Sequence, residues 1–238
     1  MNKILVLVPC LVFLVKEDAT AQNVNFAKYW EAERAYFYQA ILTDSSGTTL
    51  SEETITIHPT EKVWEIDDKQ TLIDIEINYH PGDSTRLNSW PFPVRSKSWS
   101  RNYQEGVIEN SKRVWMHPIR VNQYVLTEIA PFPEIRLPPL EGFTWDSWLE
   151  IYQFDGLEGR VTTNYAIEHL EERTYDFSTM LCWKVVASGK HDKFGESKLI
   201  LYFNDFYGFT EMHYLFYNGQ KVSFTLTDFK YQPDGTGF

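Results

Sequence analysis

The segment from position 145 to position 155 is rich in carboxylate and aromatic residues. The stretch holds three carboxylates and four rings: Asp146, Glu150, Asp155, Trp145, Trp148, Tyr152 and Phe154. Glycoside hydrolases place two carboxylates on either side of a sugar, and aromatic rings stack on sugar faces. Alternation of charged residues at period two is also typical of a strand with an outward polar face. A carbohydrate-active enzyme using Asp146, Glu150 or Asp155 is therefore one hypothesis, and a charged surface strand is the simpler interpretation.

A second stretch, from Arg86 to Arg120, has a net positive charge, whereas the chain as a whole is negatively charged. It contains seven basic and two acidic residues, a net charge of +5 in a protein whose net charge is −11. Aromatic residues are interleaved with the basic ones, and cations beside ring faces suit the binding of a sugar or an anionic polymer. We predict a binding surface formed by six residues: Trp90, Trp99, Arg101, Trp115, His117 and Arg120. The alternative is that the rings cover the core while the basic residues pair with acidic neighbours.

The sequence lacks the motifs of several other chemistries. It contains no Walker loop, GxGxxG, GxSxG, HExxH, CxxC or EF-hand loop. Its six histidines are never two, three or four residues apart, so no local metal-binding pair is present. The anionic surface does not favour nucleic acid as a partner. We therefore predict no catalytic residue, no metal site and no cofactor.

The N-terminus has the pattern of a cleaved export signal. An apolar run from Ile4 to Val15 follows Lys3, and Ala19-Thr20-Ala21 offers small residues at the positions that signal peptidase reads. We predict a signal peptide over residues 1–21 and an exported protein, in the periplasm, at the cell surface or outside the cell. The apolar run is too short for a mature transmembrane span, so none is expected.

Cysteine usage bears on the same prediction. Lipoprotein processing at Cys10 is an alternative, but Pro9 stands where Gly, Ala or Ser is usual. A buried N-terminal strand is the structural alternative to a signal. After cleavage only Cys182 remains, so no intramolecular disulfide can form and the core must supply the stability.

Strand patterns dominate the mature chain. Hydrophobic residues make up 43% and charged residues 23% of the sequence, which excludes a disordered chain and a membrane bundle, while 16% aromatic residues suit strands. In Thr71–Tyr79 apolar and polar residues alternate as in a half-buried antiparallel strand. Further strands are predicted at 53–58, 62–66, 124–129, 148–154, 160–167, 182–187, 198–203, 209–217 and 221–229, with another from about Arg34. The predicted fold class is all-β: an antiparallel β-sandwich or partly closed barrel of about ten strands with little helix.

Two stretches interrupt these patterns. His80–Gly106 has little periodicity and is predicted as a long functional or mobile loop. Ala130–Gly142 contains four prolines, which suits a linker between two halves or a crossing between two sheets. We prefer the crossing, since neither half alone would bury a large core, and predict one β domain over residues 22–238.

Asn218-Gly219 is typical of a type I′ hairpin turn.

The C-terminal part resembles a known family. The segments LCWKVVASG (Leu181–Gly189) and LILYFNDFYGFTEMHY (Leu199–Tyr214), with VWMHPIR and APFPEIRLP earlier in the chain, look like uncharacterised bacterial secreted β proteins of the TapB-like, domain-of-unknown-function type. The resemblance covers at most residues 160–230. It implies an exported β domain and supplies no catalytic residues.

Three functions remain open from the sequence. The leading expectation is an exported, non-enzymatic protein that binds a glycan, a polyanion or a protein partner through the aromatic-basic region. The alternatives are the carbohydrate-active enzyme and a carrier that holds a hydrophobic ligand inside a hollow barrel.

Overall fold

The computed structural model describes residues 28–65, 67–79, 100–152, 154 and 156–231. The predicted signal peptide and the predicted binding residues Trp90 and Trp99 lie outside these ranges.

The described residues form twelve strands and one short 3-10 helix. In chain order these are β1 (Arg34–Thr43), β2 (Thr49–Trp64), β3 (Asp67–Asn78), β4 (Asn102–Asn110), β5 (Arg113–Met116), the helix η1 (Asn122–Ile129), β6 (Glu134–Arg136), β7 (Thr144–Ile151), β8 (Gly159–Tyr175), β9 (Ser178–His191), β10 (Gly195–Asn204), β11 (Gly208–Leu215) and β12 (Lys221–Tyr231).

All twelve strands belong to one antiparallel sheet. Its order is β6-β5-β4-β3-β2-β1-β12-β11-β10-β9-β8-β7, so each half of the chain is an up-and-down meander and the two meanders meet where β1 pairs with β12. The sheet curls into a half-barrel whose edges are β6 and β7. The all-β prediction is confirmed, in its partly closed barrel form and with twelve described strands instead of about ten.

Period-two burial explains why these segments form strands. Ile73, Ile75 and Ile77 of β3 are buried and face the concave side, while Asp74 and Glu76 between them are exposed. The same alternation is seen in β8 and β12, and one hydrophobic core contains residues from both meanders. The apolar face of each strand therefore drives the sheet to curl around a shared interior.

The helix η1 packs against the concave side of the sheet, and all eight of its residues are buried. The Tyr124 ring packs on Phe224 of β12 with centroids 5.3 Å apart, and its hydroxyl donates to the Glu53 carboxylate of β2. The prediction of a strand at 124–129 is wrong. A segment that is buried on every side has no polar face, so its periodicity does not separate a helix from a strand.

Three further local predictions differ from the structure. Asn102–Gly106 belong to β4, so the loop predicted from His80 ends before them. The proline-rich segment contains β6 and joins the two edges of one sheet, so it does not cross between two sheets. The turn at Asn218-Gly219 is not type I′, because that type needs positive φ at both residues and only Gly219, at 82°, has it.

The β8–β9 hairpin extends past β7 and curls over the outer side of β10 and β11. Arg173 of β8 reaches across two intervening strands and donates two hydrogen bonds of 3.0 Å to the Glu211 carboxylate of β11. The Tyr175 hydroxyl donates to the same carboxylate at 2.8 Å. A small second hydrophobic cluster, which includes Cys182 and Tyr202, fills the space beneath the hairpin.

An ion-paired arginine joins η1 to the sheet. Arg120 lies between two buried carboxylates, with 2.8 Å contacts to both oxygens of Glu105 on β4 and contacts of 3.0 and 2.8 Å to Glu128 on η1. A cation is needed here because two carboxylates that are removed from water repel each other.

Replacing this arginine is expected to destabilise the fold strongly. We predict that Arg120→Leu lowers the free energy of unfolding by about 3–5 kcal/mol, because the cation between two buried carboxylates is lost. Arg160→Leu is the matched control, since Arg160 makes a comparable contact of 2.8 Å to Glu150 at an exposed site and should change stability little. Urea unfolding of both variants measures the difference. Equal stability of the two variants would contradict the structural role of Arg120.

Candidate binding surface

The structure places the described members of the predicted binding surface in different environments. Arg101 is exposed. Trp115 is buried, with 7% of its surface exposed, and its ring packs on His117 and Phe132 at centroid distances of 4.7 and 5.7 Å. Arg120 is occupied by the two carboxylates described above. Within the described ranges, Arg101 is thus the single exposed member of the set, and the role of Trp90 and Trp99 stays a prediction.

His117 lies in a box of aromatic rings. Its ring centroid is 5.1 Å from Trp64, 4.7 Å from Trp115 and 5.5 Å from Phe132. Its Nδ1 atom is buried without a hydrogen-bond partner. Burial and the nearby Arg120 guanidinium lower the pKa of His117 from 6.5 to about 2. The imidazole is therefore neutral at ordinary pH and carries no positive charge toward an anionic ligand.

The carboxylates considered for glycoside hydrolysis lie on the outer face of β7. Asp146 accepts a hydrogen bond of 2.9 Å from the Asn164 amide, and Glu150 accepts one of 2.8 Å from Arg160. The two acids are four residues apart in one strand, or about 13 Å along it. Catalytic carboxylate pairs are about 5–9.5 Å apart and face each other across the sugar. Asp146 and Glu150 do not meet that geometry, and Asp155 lies outside the described residues.

An exposed tryptophan lies between these two carboxylates. Trp148 has 64% of its surface exposed, and the Arg160 guanidinium lies 5.1 Å from its ring centroid. We call the surface formed by Asp146, Trp148, Glu150, Arg160 and Asn164 the Trp148 platform.

The platform has an open side and a further ring near its end. Because β7 is an edge strand, it pairs with β8 on one side only. Tyr152, just past the end of β7, is 74% exposed. Asn164 donates to Asp146 and Arg160 donates to Glu150 at the surface, so the platform combines an aromatic face with nearby donors and acceptors. In proteins generally, such a combination suits flat polyhydroxylated molecules, because a ring can cover their apolar face while polar groups reach their hydroxyls.

The sequence contained a signal for the platform. Period two places Trp148 on the same face of the strand as Asp146 and Glu150. A large ring on the polar face of a strand is unusual and indicates either a covering element or a contact surface. Arg160 could not be assigned to the platform from the sequence alone, because its partnership with Glu150 depends on the register between β7 and β8.

Neither a metal centre nor a spanning helix is seen in the described part of the chain. No cluster of three or more His, Cys, Asp or Glu side chains there is arranged to hold a metal ion. No helix among the same residues has the length and apolar character to cross a membrane.

Comparison with known proteins gives structural similarities only. No family model and no curated protein matches the chain. A candidate exported protein with a YmcC-like fold from Bacteroides fragilis NCTC 9343 has a TM-score of 0.45 and 7% identity, over 86% of this chain and 99% of that one. The hypothetical lipoprotein YmcC from Escherichia coli K12 has a TM-score of 0.37 and 10% identity, over 83% and 86%. The TapB-like resemblance stays a prediction, and we argue function from the residues of this chain.

The protonation of His117 tests the arrangement of its ring box. We predict that its imidazole stays neutral from pH 8 to pH 4 in a nitrogen-detected NMR titration, with the signal assigned by loss in His117→Gln. An unfolded histidine takes up a proton near pH 6.5, whereas the folded one does so only near pH 2. The stability that this group contributes therefore falls as the pH drops below about 6.5. Protonation of His117 near pH 6 in the folded protein would show that the box is open to water.

Proposed function

We propose that this is an exported, non-enzymatic carbohydrate-binding protein and that the Trp148 platform binds its glycan. The observation that carries the proposal is the 64% exposure of Trp148 on a strand face, between two polar pairs and over a guanidinium. Removal of such a ring from water by a sugar is favourable, and no described element of the chain covers it.

The polar groups of the platform are paired with one another on both sides of the ring. The Arg160 side chain pairs with the Glu150 carboxylate at 2.8 Å and lies beside the Trp148 ring, so hydrogen-bonding groups are present next to the ring. The Asp146–Asn164 pair offers an oriented amide and carboxylate on the other side of the ring. A neutral or weakly charged sugar suits this surface better than a polyanion, because the platform itself contains two carboxylates.

The two alternative functions receive less support. An enzyme that uses Asp146 and Glu150 would need them to face each other, whereas they lie along one strand with Trp148 between them. A hydrophobic-ligand carrier would need a hollow interior, and η1, whose eight residues are all buried, occupies part of the concave side of the described sheet. Export is supported by the signal pattern of residues 1–21.

Loss of the Trp148 ring tests the proposal. A glycan array probed with residues 22–238 identifies a ligand, and we expect Trp148→Ala to weaken its binding about ten-fold or more in calorimetry, equivalent to about 1.4 kcal/mol. Trp148→Phe keeps part of the ring and should retain part of the affinity.

Tyr231→Ala is the matched control. Tyr231 is also an exposed aromatic residue, 47% exposed, but it lies on β12, away from β7 in the sheet order. Its removal should leave glycan affinity unchanged. The proposal fails if the array shows no glycan, or if Trp148→Ala binds the identified glycan as tightly as the unaltered protein.

A further inference from the structure

The outer end of the β8–β9 hairpin, residues 168–182, is paired with no other strand of the described sheet. β7 pairs with β8 only as far as Ala166, and β9 pairs with β10 only from Trp183 onward. The register of β8 against β9 shifts between Ile167 and His169, at the base of this segment, and a bulge of this kind bends a strand. We call residues 168–182 the strap. Its attachment to the rest of the sheet depends on side chains.

One face of the strap lies over the outer side of β10 and β11. Past the bulge, less exposed residues of β8 alternate with exposed ones, and the less exposed ones are His169, Glu171, Arg173 and Tyr175. The Arg173 guanidinium lies 4.2 Å from the centroid of the Tyr202 ring on β10. At the tip, the Phe177 ring packs on Tyr207 with centroids 5.5 Å apart. The hydrophobic cluster beneath the strap has four buried residues: Tyr175, Met180, Cys182 and Tyr202.

One carboxylate makes the polar attachment. Glu211 of β11, which is 4% exposed, accepts two hydrogen bonds of 3.0 Å from Arg173 and one of 2.8 Å from Tyr175, both on the strap. His213, on the same strand as Glu211, lies 2.6 Å from this carboxylate. Protonation of Glu211 removes its charge and turns one of its oxygens into a donor that faces other donors. The attachment of the strap therefore depends on the negative charge of Glu211.

The other charged groups near this contact do not replace Glu211. Glu171, on the strap itself, lies 3.6 Å from Arg173 and 2.7 Å from His169, so it does not join the strap to β11. On β9, Lys184 is paired with Glu168 at 2.8 Å. Histidines that face carboxylates donate to them whether neutral or protonated. Protonation of a carboxylate is therefore the event that breaks these contacts.

The remaining groups that face Glu211 are uncharged. Tyr202 of β10 and Thr225 of β12 lie opposite it in the sheet. Burial raises the pKa values of Tyr175, Tyr202 and Cys182, so all three stay neutral at ordinary pH. Arg173 is thus the cation that the Glu211 carboxylate neutralises.

We propose that the strap is a hinged cover, closed while Glu211 is ionised and opened at its bulge when that carboxylate is protonated. Opening uncovers Met180, Cys182 and Tyr202, an apolar surface that the closed protein hides. The strap shares no residue with the Trp148 platform, so either can exist without the other.

The direction of the pH dependence follows from the contacts of Glu211. Burial by itself raises the pKa of Glu211, but hydrogen bonds from His213, Tyr175 and Arg173 outweigh it and hold that pKa below its usual range. In the open strap the carboxylate is in water and has an ordinary pKa of about 4.3. The contribution of Glu211 to closure is therefore complete above that pH and is lost as the pH falls through the lower value of the closed state.

The Cys182 thiol reports the opening. It is the one thiol in residues 22–238, and it is fully buried beneath the strap. The probe is 4,4′-dithiodipyridine, which reacts with thiols in acid, and each labelling rate is divided by that of glutathione at the same pH. Between pH 6 and pH 3.5 we expect this ratio to rise about five-fold or more, because protonation of Glu211 favours the open strap.

Variants assign the effect to Glu211. Glu211→Gln removes the charge at every pH, so Cys182 should be labelled about ten-fold faster or more at pH 6, with most of the pH dependence lost. Arg173→Gln should also accelerate labelling at pH 6, because it removes two of the hydrogen bonds to Glu211. Glu172→Gln is the matched control, since Glu172 is an exposed carboxylate on the opposite face of the strap and should behave as the unaltered protein does.

Hydrogen exchange followed by mass spectrometry separates opening of the strap from unfolding of the whole protein. An isolated two-stranded hairpin is marginally stable in water, so Glu211→Gln at pH 6 should lose protection in residues 168–182. β1 and β12 should keep their protection, because the opening leaves their pairing intact.

Three results would overturn the inference. The first is labelling of Cys182 in Glu211→Gln as slow as in the unaltered protein at pH 6. The second is an equal rise in labelling on acidification in both proteins, which would assign the acid sensitivity to other groups. The third is loss of protection in β1 and β12 together with residues 168–182, which would show that Glu211 supports the whole fold and that the strap is not a separate unit.

Discussion

The pairing of β1 with β12 is the constraint on which the rest of this structure depends. It runs from Arg34 opposite Tyr231 to Thr43 opposite Lys221 and joins the two meanders into one sheet. The edges are then β6 and β7, which follow each other in the chain. A flat sheet of twelve strands would hold its edges about 53 Å apart. The seven residues 137–143 span at most about 27 Å, so the sheet must curl.

The curl decides where a ligand can bind. It brings the apolar faces of both meanders onto one interior, and η1 adds eight buried residues to that interior. The outer faces and the rim are then the places where side chains can meet other molecules. The edge strand β7 carries Asp146 and Glu150, charges of the kind that protect an edge from pairing with another chain, and it also carries the exposed Trp148. An edge protected in this way presents its outer face without recruiting a further strand.

Individual strands can be predicted from the sequence, whereas the pairing of strands that are distant in the chain cannot. Alternation in Thr71–Tyr79 predicts β3, because each side chain's environment depends on which face of one strand it occupies. The pairing of β1 with β12 joins residues almost two hundred positions apart, which no local pattern encodes. The helix η1 was not predicted, because a segment that is buried on all sides shows no periodic alternation of apolar and polar residues. Trp148 could be placed on an outer face, but its contact with Arg160 required the register between β7 and β8.

Two arginines of the basic stretch Arg86–Arg120 pair with buried carboxylates of this anionic chain. Buried carboxylates need cations, and the basic stretch supplies some of them. Arg120 serves Glu105 and Glu128, and Arg113 lies 3.6 Å from Glu134, which is 1% exposed.

A local excess of positive charge therefore does not by itself identify a surface for anions, because the same residues neutralise the interior. The exposure of the aromatic residue distinguishes a structural role from a binding role. Trp115 is 7% exposed and packs against the ring of a neutral histidine, whereas Trp148 is 64% exposed and lies beside an arginine whose carboxylate partner is also at the surface. Aromatic and basic residues adjacent in sequence thus stabilise the fold at one end of the sheet. At β7 and β8 the same two residue types, brought together by strand register, form a surface that is open to a ligand.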